Sequence, residues 1–102
     1  MTIVNEITPK EVEQLIENNT DIIIIDVRED KEVATGIINV ALHIPLQQIP
    51  EEIANLDKEK EYIIVCRSGA RSQNATLYME EHGFNVSNMV GGMLEWKGEV
   101  II

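Results

Sequence analysis

Apolar residues arrive in this chain as short blocks at two spacings, and the alternation between them outlines the fold. Residues 3–7 form a short strand candidate. Thr8-Pro9-Lys10-Glu11 then reads as a helix start. Thr8 can cap, Pro9 suits the first helical position, and Glu11 completes a capping box three residues after the cap. Val12, Leu15 and Ile16 follow at helical spacing, and Asn18-Asn19 ends the helix. Ile22-Ile23-Ile24-Ile25 is an unbroken β-branched run between Asp21 and Asp26, the pattern of a strand covered on both faces in a parallel sheet. Residues 30–35 read as a short helix stopped by Gly36, and Leu42-His43-Ile44 as a brief strand ended by Pro45. Ile49, Ile53 and Leu56 fall on one helical face, before a charged loop over residues 57–61. Tyr62-Ile63-Ile64-Val65 is a second buried-looking strand, and it ends at Cys66. Residues 72–82 carry a helical pattern, with Ala75, Tyr78 and Met79 on one face and Gly83 as the stop. A last strand spans residues 86–90, Gly91-Gly92 breaks it, and residues 93–97 form a final helical turn or two.

Strands alternating with helices, and strands apolar on both faces, predict an α/β fold. The sheet is expected to be mainly parallel, with about five strands and helices on both faces. The 102 residues carry no repeat, linker or low-complexity tract, so residues 1–102 read as one domain. Sites in such sheets lie beyond the carboxyl ends of strands, and Cys66 sits at one.

Composition narrows the function classes. The apolar share is 44%, and the aromatics are only Tyr62, Tyr78, Phe84 and Trp96, so isoleucine, valine and leucine must build the core. Eighteen acidic residues against eight basic ones give a formal charge of −10. A field of that sign repels nucleic acid and anionic membrane surfaces, so neither is an expected partner, and the charge itself reads as solubility. The apolar runs are too short to span a bilayer, and the first ten residues lack the basic start and apolar run of a signal peptide. The single cysteine excludes an intramolecular disulfide and a Cys-pair zinc site, and it leaves no second thiol to resolve an oxidised Cys66. A soluble protein of a reducing cytoplasm, with no metal or cofactor, is expected.

Of three arginines in this negative chain, two lie within five residues of Cys66. The segment Val65-Cys66-Arg67-Ser68-Gly69-Ala70-Arg71-Ser72 is a strand end, a tight loop and a helix start. Unpaired amides at the helix start, with the helix dipole, favour an anion. Gly69 permits positive φ, which lets the backbone curl its amides around a centre. Arg67 and Arg71 supply permanent cationic donors, although Arg67 is equally free to point to solvent. A lone cysteine at a strand end is ordinarily a small structural hydrophobe. Here the convergence of all these features favours an activated thiolate nucleophile.

The loop from Cys66 through Ser72 resembles the active-site loop of single-domain rhodaneses, sulfurtransferases that carry sulfur as a cysteine persulfide. The resemblance spans nearly the whole chain. Asp26-Val27-Arg28-Glu29 with Glu32, Ile44-Pro45-Leu46, and Val90-Gly91-Gly92 with Trp96 match further family elements in order. It implies a rhodanese-like three-layer sandwich. It also implies that Cys66 attacks the outer sulfur of an anionic donor such as thiosulfate and holds it as a persulfide. Backbone amides of Arg67, Ser68, Gly69, Ala70, Arg71 and Ser72 would then line the substrate-binding cradle. Arg71 would hold the loop and balance negative charge, and Arg67 would face the incoming anion. Cyanide, a cellular thiol or a protein partner would remove the sulfur, in ping-pong fashion.

Four residues separate Cys66 from Arg71, against five in the Cys-x5-Arg loops of phosphatases sharing the fold. The tighter ring suits one sulfur atom better than a tetrahedral oxyanion, which ranks phosphatase or arsenate reductase below sulfur transfer. The rival reading is a persulfide carrier that hands sulfur to a protein partner with little turnover of its own. Where relatives read Gly-His-Ile-x-Gly-Ala, this chain has Gly36-Ile37-Ile38-Asn39-Val40-Ala41, which bears on a local turn and its packing more than on activity. Asp26 reads as fixing loop geometry through backbone hydrogen bonds, with an acid near the site as the alternative. Arg28 and Glu32 read as a structural ion pair. His43 and His82 read as surface or helix-end residues, Trp96 as packing or a pocket wall, and Met79, Met89 and Met93 as packing. The rate of Cys66 alkylation is expected to reach half-maximum at roughly pH 3.5–7.5, and half-maximum near about 8.5 rejects an activated thiolate.

Overall fold

The computed structural model describes residues 3–102. Five strands form one parallel sheet in the order β1-β5-β4-β2-β3, with β1 Glu6–Ile7, β2 Ile22–Asp26, β3 Leu42–His43, β4 Glu61–Val65 and β5 Asn85–Met89. The helices are α1 Pro9–Glu17, α2 Asp30–Val33, α3 Ile49–Glu52, α4 Ala70–Glu81 and α5 Gly92–Glu95. The first strand is shorter than residues 3–7, because only Glu6 and Ile7 pair with β5, at Asn88 and Met89.

Alternation along the two central strands divides the core into layers. Tyr62 and Ile64 point to one side with Ile25, where Ile49 of α3 and Ala75 and Met79 of α4 cover them. Ile63 and Val65 point to the other side with Ile24, beneath Val12, Leu15 and Ile16 of α1 and Trp96. Both faces are thereby dry, which explains the unbroken isoleucine run of β2. Tyr62 is the largest fully buried side chain, and its hydroxyl donates to the Asp57 carbonyl at 2.9 Å. Ile53 and Leu56 pack on the α3 and α4 side, although α3 itself is one turn followed by a 3-10 turn over Ile53–Asn55.

Helix starts follow local chemistry. The capping box at Thr8 is complete: Glu11 N–H donates to Thr8 Oγ1 at 3.1 Å, and Glu11 Oε1 accepts from Thr8 N–H at 3.0 Å. Helix α4 begins at Ala70, two residues earlier than its apolar pattern indicates, because Gly69 adopts a left-handed φ of 104° and starts the helix directly after the loop. A first turn with no apolar contact leaves no periodic mark in the sequence. Departure from the glycine-containing pattern at Val40 is accommodated simply. Ala41 N–H closes the turn on Ile38 O at 2.9 Å, Val40 projects outward, and its φ is not positive.

The expected Arg28–Glu32 ion pair is not formed. Arg28 lies ahead of α2, so the two residues share no helical face. The turn after β2 instead folds Arg28 back on Asp26, with Nη2 2.8 Å from Oδ2 and Nε 3.0 Å from both carboxylate oxygens. Both side chains are buried, and Asp26 also accepts the Arg28 N–H, the backbone role its sequence position suggests. Arg28 Nη2 further donates to Gly36 O at 2.8 Å, which ties the far end of the α2 segment to the sheet.

In this strand order, β2 leads outward to β3 and β4 leads outward to β5, in opposite directions. The switch point therefore lies between the carboxyl ends of β2 and β4, where Asp26 and Cys66 emerge. Removing one partner of the buried pair is expected to be costly. Arg28→Met should lower unfolding free energy by about 3–5 kcal/mol in urea titrations, because it strands the Asp26 charge. Lys31→Met, at an exposed position, should stay within about 0.5 kcal/mol of the parent.

Candidate active site

Cys66 directly follows the last residue of β4, and the strand alternation aims it to the same side as Tyr62 and Ile64. The chain then turns in three residues into α4. Its sulfur is fully buried and is ringed by donors. Gly69 N–H donates to Sγ at 3.1 Å, Ser72 N–H donates at 3.3 Å, and the Ser72 hydroxyl lies 3.2 Å away. The amides of Ala70 and Arg71 occupy the first helical turn, where no intrahelical carbonyl is available to them. Burial pushes the Cys66 thiol up, but the Ser72 hydroxyl and the amides of Ser72, Gly69 and Ser68 outweigh it, and the pKa lies below the ordinary thiol value.

The Ser68 amide turns toward the sulfur and sends the Arg67 carbonyl the other way, and α5 receives it together with the Cys66 carbonyl. Met93 N–H donates to Cys66 O at 2.8 Å and Leu94 N–H to Arg67 O at 3.0 Å. Gly92 makes this approach possible: at φ 57°, a Cβ there would stand 2.5 Å from the Cys66 and Arg67 carbonyl oxygens. The Gly91-Gly92 step therefore belongs to the site, and α5 begins at Gly92 rather than Met93.

The two arginines do different things. Arg71 meets Glu32 of α2 in a bidentate pair, Nη1 to Oε1 at 2.7 Å and Nη2 to Oε2 at 2.8 Å. Glu32 is the carboxylate that sequence spacing assigned to Arg28. The Arg71 hydrogen bonds hold the Glu32 pKa at about 2, against a usual 4.5, with the Glu29 N–H and the charges of Arg71 and Arg28 acting in the same direction against burial. Arg67 is exposed and makes no side-chain hydrogen bond among the described residues. It lines a groove of about 420 Å³ with Arg28, Lys31, Glu32, Thr35, Met93 and Leu94. Met93 is thus a groove residue as well as a packing one, whereas Met79 and Met89 are fully buried.

Sequence reasoning passed over Asn88. It sits beside Ile64 in the register of β4 and β5, is almost fully buried, and contacts both ends of the loop. Its Oδ1 accepts from the Ser72 hydroxyl at 2.5 Å, and its Nδ2 donates to Gly69 O at 3.2 Å. Period-two spacing from buried Val86 was the available signal, since it places Asn88 on the Cys66 side. Of the remaining candidates, His43 Nε2 donates to Arg28 O at 2.7 Å, and His82 stacks on Tyr78 at the end of α4. Trp96 packs on the α1 side of the sheet.

Comparison with known proteins places these features in a family. The rhodanese-like domain family model matches residues 8–99, and the chain belongs to that family. It is 47% identical over 96 residues to the Bacillus subtilis (strain 168) protein named "Putative sulfurtransferase YtwF", covering 94% of this chain and 93% of the relative. It is 33% identical over 92 residues to the thiosulfate sulfurtransferase GlpE of Pseudomonas aeruginosa, covering 89% and 82% of the two chains. The crystal structure of a rhodanese-like domain protein from Staphylococcus aureus superposes with a TM-score of 0.90 at 35% identity, over 96% of this chain and 97% of the other.

The Glu32–Arg71 pair sets a pH dependence. Glu32 has a folded pKa below its ordinary value, so its stabilisation is complete above about pH 4.5 and is lost as pH falls toward about 2. Urea midpoints measured across that window are expected to fall more steeply for the parent than for Glu32→Gln, which lacks the titrating group.

Proposed function

We propose that this protein is a sulfurtransferase that moves sulfane sulfur from an anionic donor of the thiosulfate type to an external acceptor through a Cys66 persulfide. The observation that carries the reading is the donor set around one buried sulfur: two amide N–H groups and a hydroxyl within 3.3 Å of Cys66 Sγ. Such a site stabilises a thiolate without proton transfer to a base, and the same amides suit the charge carried by an outer persulfide sulfur. The thiolate attacks the outer sulfur of thiosulfate. A sulfur–sulfur bond forms to Cys66 as the donor's own sulfur–sulfur bond breaks, and sulfite leaves with that electron pair. Cyanide or a thiol then attacks the outer sulfur, and Cys66 departs as the thiolate. The protein cycles between two covalent states without a cofactor.

The arginine geometry supports sulfur over phosphate. Arg71 spends its fork on Glu32, so it braces the loop instead of clamping an oxyanion inside it. Arg67 and Lys31 border the groove, where an anionic donor approaches against the overall charge of −10. Because Cys66 is fully buried, the donor reaches Sγ only with a local displacement of the loop or of the groove-lining Met93 and Leu94.

The test is thiosulfate:cyanide sulfurtransferase activity followed by thiocyanate release, with the intact mass read after thiosulfate alone. Multiple turnovers and a gain of roughly 32 Da, both abolished in Cys66→Ser by more than about 10³-fold in rate, are expected. Loading without turnover identifies a persulfide carrier instead. Neither loading nor turnover rejects thiosulfate as the donor.

A further inference from the structure

The Ser72 hydroxyl has one proton and two acceptors. Its Oγ lies 3.2 Å from Cys66 Sγ and 2.5 Å from Asn88 Oδ1. Asn88 cannot end the competition by turning its amide over, because its other end donates to Gly69 O, and a carbonyl only accepts. Cys66 and Ser72 are fully buried and Asn88 is 2% exposed, so bulk water does not supply the missing partner.

The hydrogen bonds form a ring whose proton count depends on the state of the sulfur. With a thiol, the ring is complete. S–H donates to Ser72 Oγ, Ser72 O–H donates to Asn88 Oδ1, Asn88 Nδ2 donates to Gly69 O, and Gly69 N–H donates to Sγ. With a thiolate, one proton is missing, and either the sulfur or Asn88 Oδ1 goes without Ser72. We propose that Asn88 is a positioning residue that tunes Cys66 as a nucleophile by competing with its sulfur for the Ser72 proton. The hydroxyl turns to Sγ when the sulfur is an anion and back to Asn88 when Sγ is an uncharged inner persulfide sulfur. Competition keeps the thiolate less stabilised than its ring of donors alone allows, and a less stabilised thiolate is the stronger nucleophile.

The charged groups on surrounding elements do not explain such an effect. Arg71 of α4 is engaged by Glu32 of α2, Asp26 at the end of β2 and Arg28 just after it engage each other, and Glu6 of β1 beside Asn88, Arg67 of the loop and Glu95 of α5 are exposed. None of them hydrogen-bonds to Ser72 or Asn88, and β5 carries no charged residue.

The inference rests on Cys66 reacting as a thiolate, and the pH dependence of Cys66 alkylation by iodoacetamide, measured on the full chain, tests both. Asn88→Leu removes the competing acceptor at similar size and is expected to lower the half-maximal pH by roughly one pH unit, the scale of one hydrogen bond to a charged group. Ser72→Ala is expected to raise it. In the Ser72→Ala background, Asn88→Leu is expected to leave it unmoved. An unshifted Asn88→Leu, or the same shift in both backgrounds, overturns the proposal, since a merely structural Asn88 changes stability and not this profile. Should Asn88→Leu fail to fold, Asn88→Asp takes its place. It is expected to raise the half-maximal pH more with Ser72 present than in Ser72→Ala, and equal rises overturn the proposal. A parent protein that titrates as an ordinary thiol rejects the nucleophile reading as well, whereas a low-titrating parent with an unmoved Asn88→Leu rejects this inference alone.

Discussion

Peptide groups have two ends, and the site is built around that fact. Amides cannot be turned inward onto one sulfur without turning carbonyls outward, and buried carbonyls must be bonded. The carbonyls of Cys66 and Arg67 meet the N–H groups of Met93 and Leu94, so the loop is held from behind by the first turn of α5. That turn comes close enough only because Gly92 has no side chain. On the inner side, Asn88 accepts from Ser72 and donates to Gly69. The loop is therefore fixed from β5 and from the segment that follows it, and a sheet that brings β5 beside β4 is a precondition of the chemistry.

The electrostatics of the site are short-range. A chain of charge −10 is a poor place for an anion, and Arg71, a permanent cation whose charge acts on Cys66, is shared with Glu32. What remains for the sulfur is a set of dipoles at hydrogen-bond distance, which lose strength with distance quickly and are hardly screened by salt in a dry site. Arg67 and Lys31 stand at the groove with no such commitment and act on whatever approaches. The groups that hold the Cys66 sulfur are thereby separate from the exposed cations of the groove, so the two can be set independently. The cost is the buried polar ring of Cys66, Ser72, Asn88 and Gly69, which is complete with a thiol and one proton short with a thiolate.

Burial of the Asp26–Arg28 pair serves the same end at the other side of the switch point. The pair fixes the turn after β2 and, through Gly36, the segment that carries Glu32. Glu32 is then presented to Arg71 across 39 residues of sequence. The start of α4 is tied to both halves of the sheet in this way, by hydrogen bonds to β5 and by an ion pair to the element that follows β2.

Much of this was legible in the chain. Hydrophobic spacing located the strands and helices, because burial imposes a period of two or 3.6 on whichever residues face a core. Unbroken isoleucines implied a sheet covered on both faces, and the Thr8 box and Gly83 marked helix boundaries, because these signals act within a few residues. The turn from Cys66 through Gly69 into a helix was legible for the same local reason. Pairings across the fold were not legible. Arg28 chose Asp26 and Glu32 chose Arg71 because the turn after β2 redirects side chains that spacing alone had put together. Asn88 acquired its role from strand register, and Gly92 from the approach of a backbone that lies about 25 residues away in sequence. The sequence by itself determined which apolar positions line the core and where the strand after residue 61 turns through Gly69 into a helix, since both are local consequences of residue type and period. Which groups complete the site was decided only by the tertiary structure, since hydrogen bonds and ion pairs depend on distances that no one-dimensional pattern encodes.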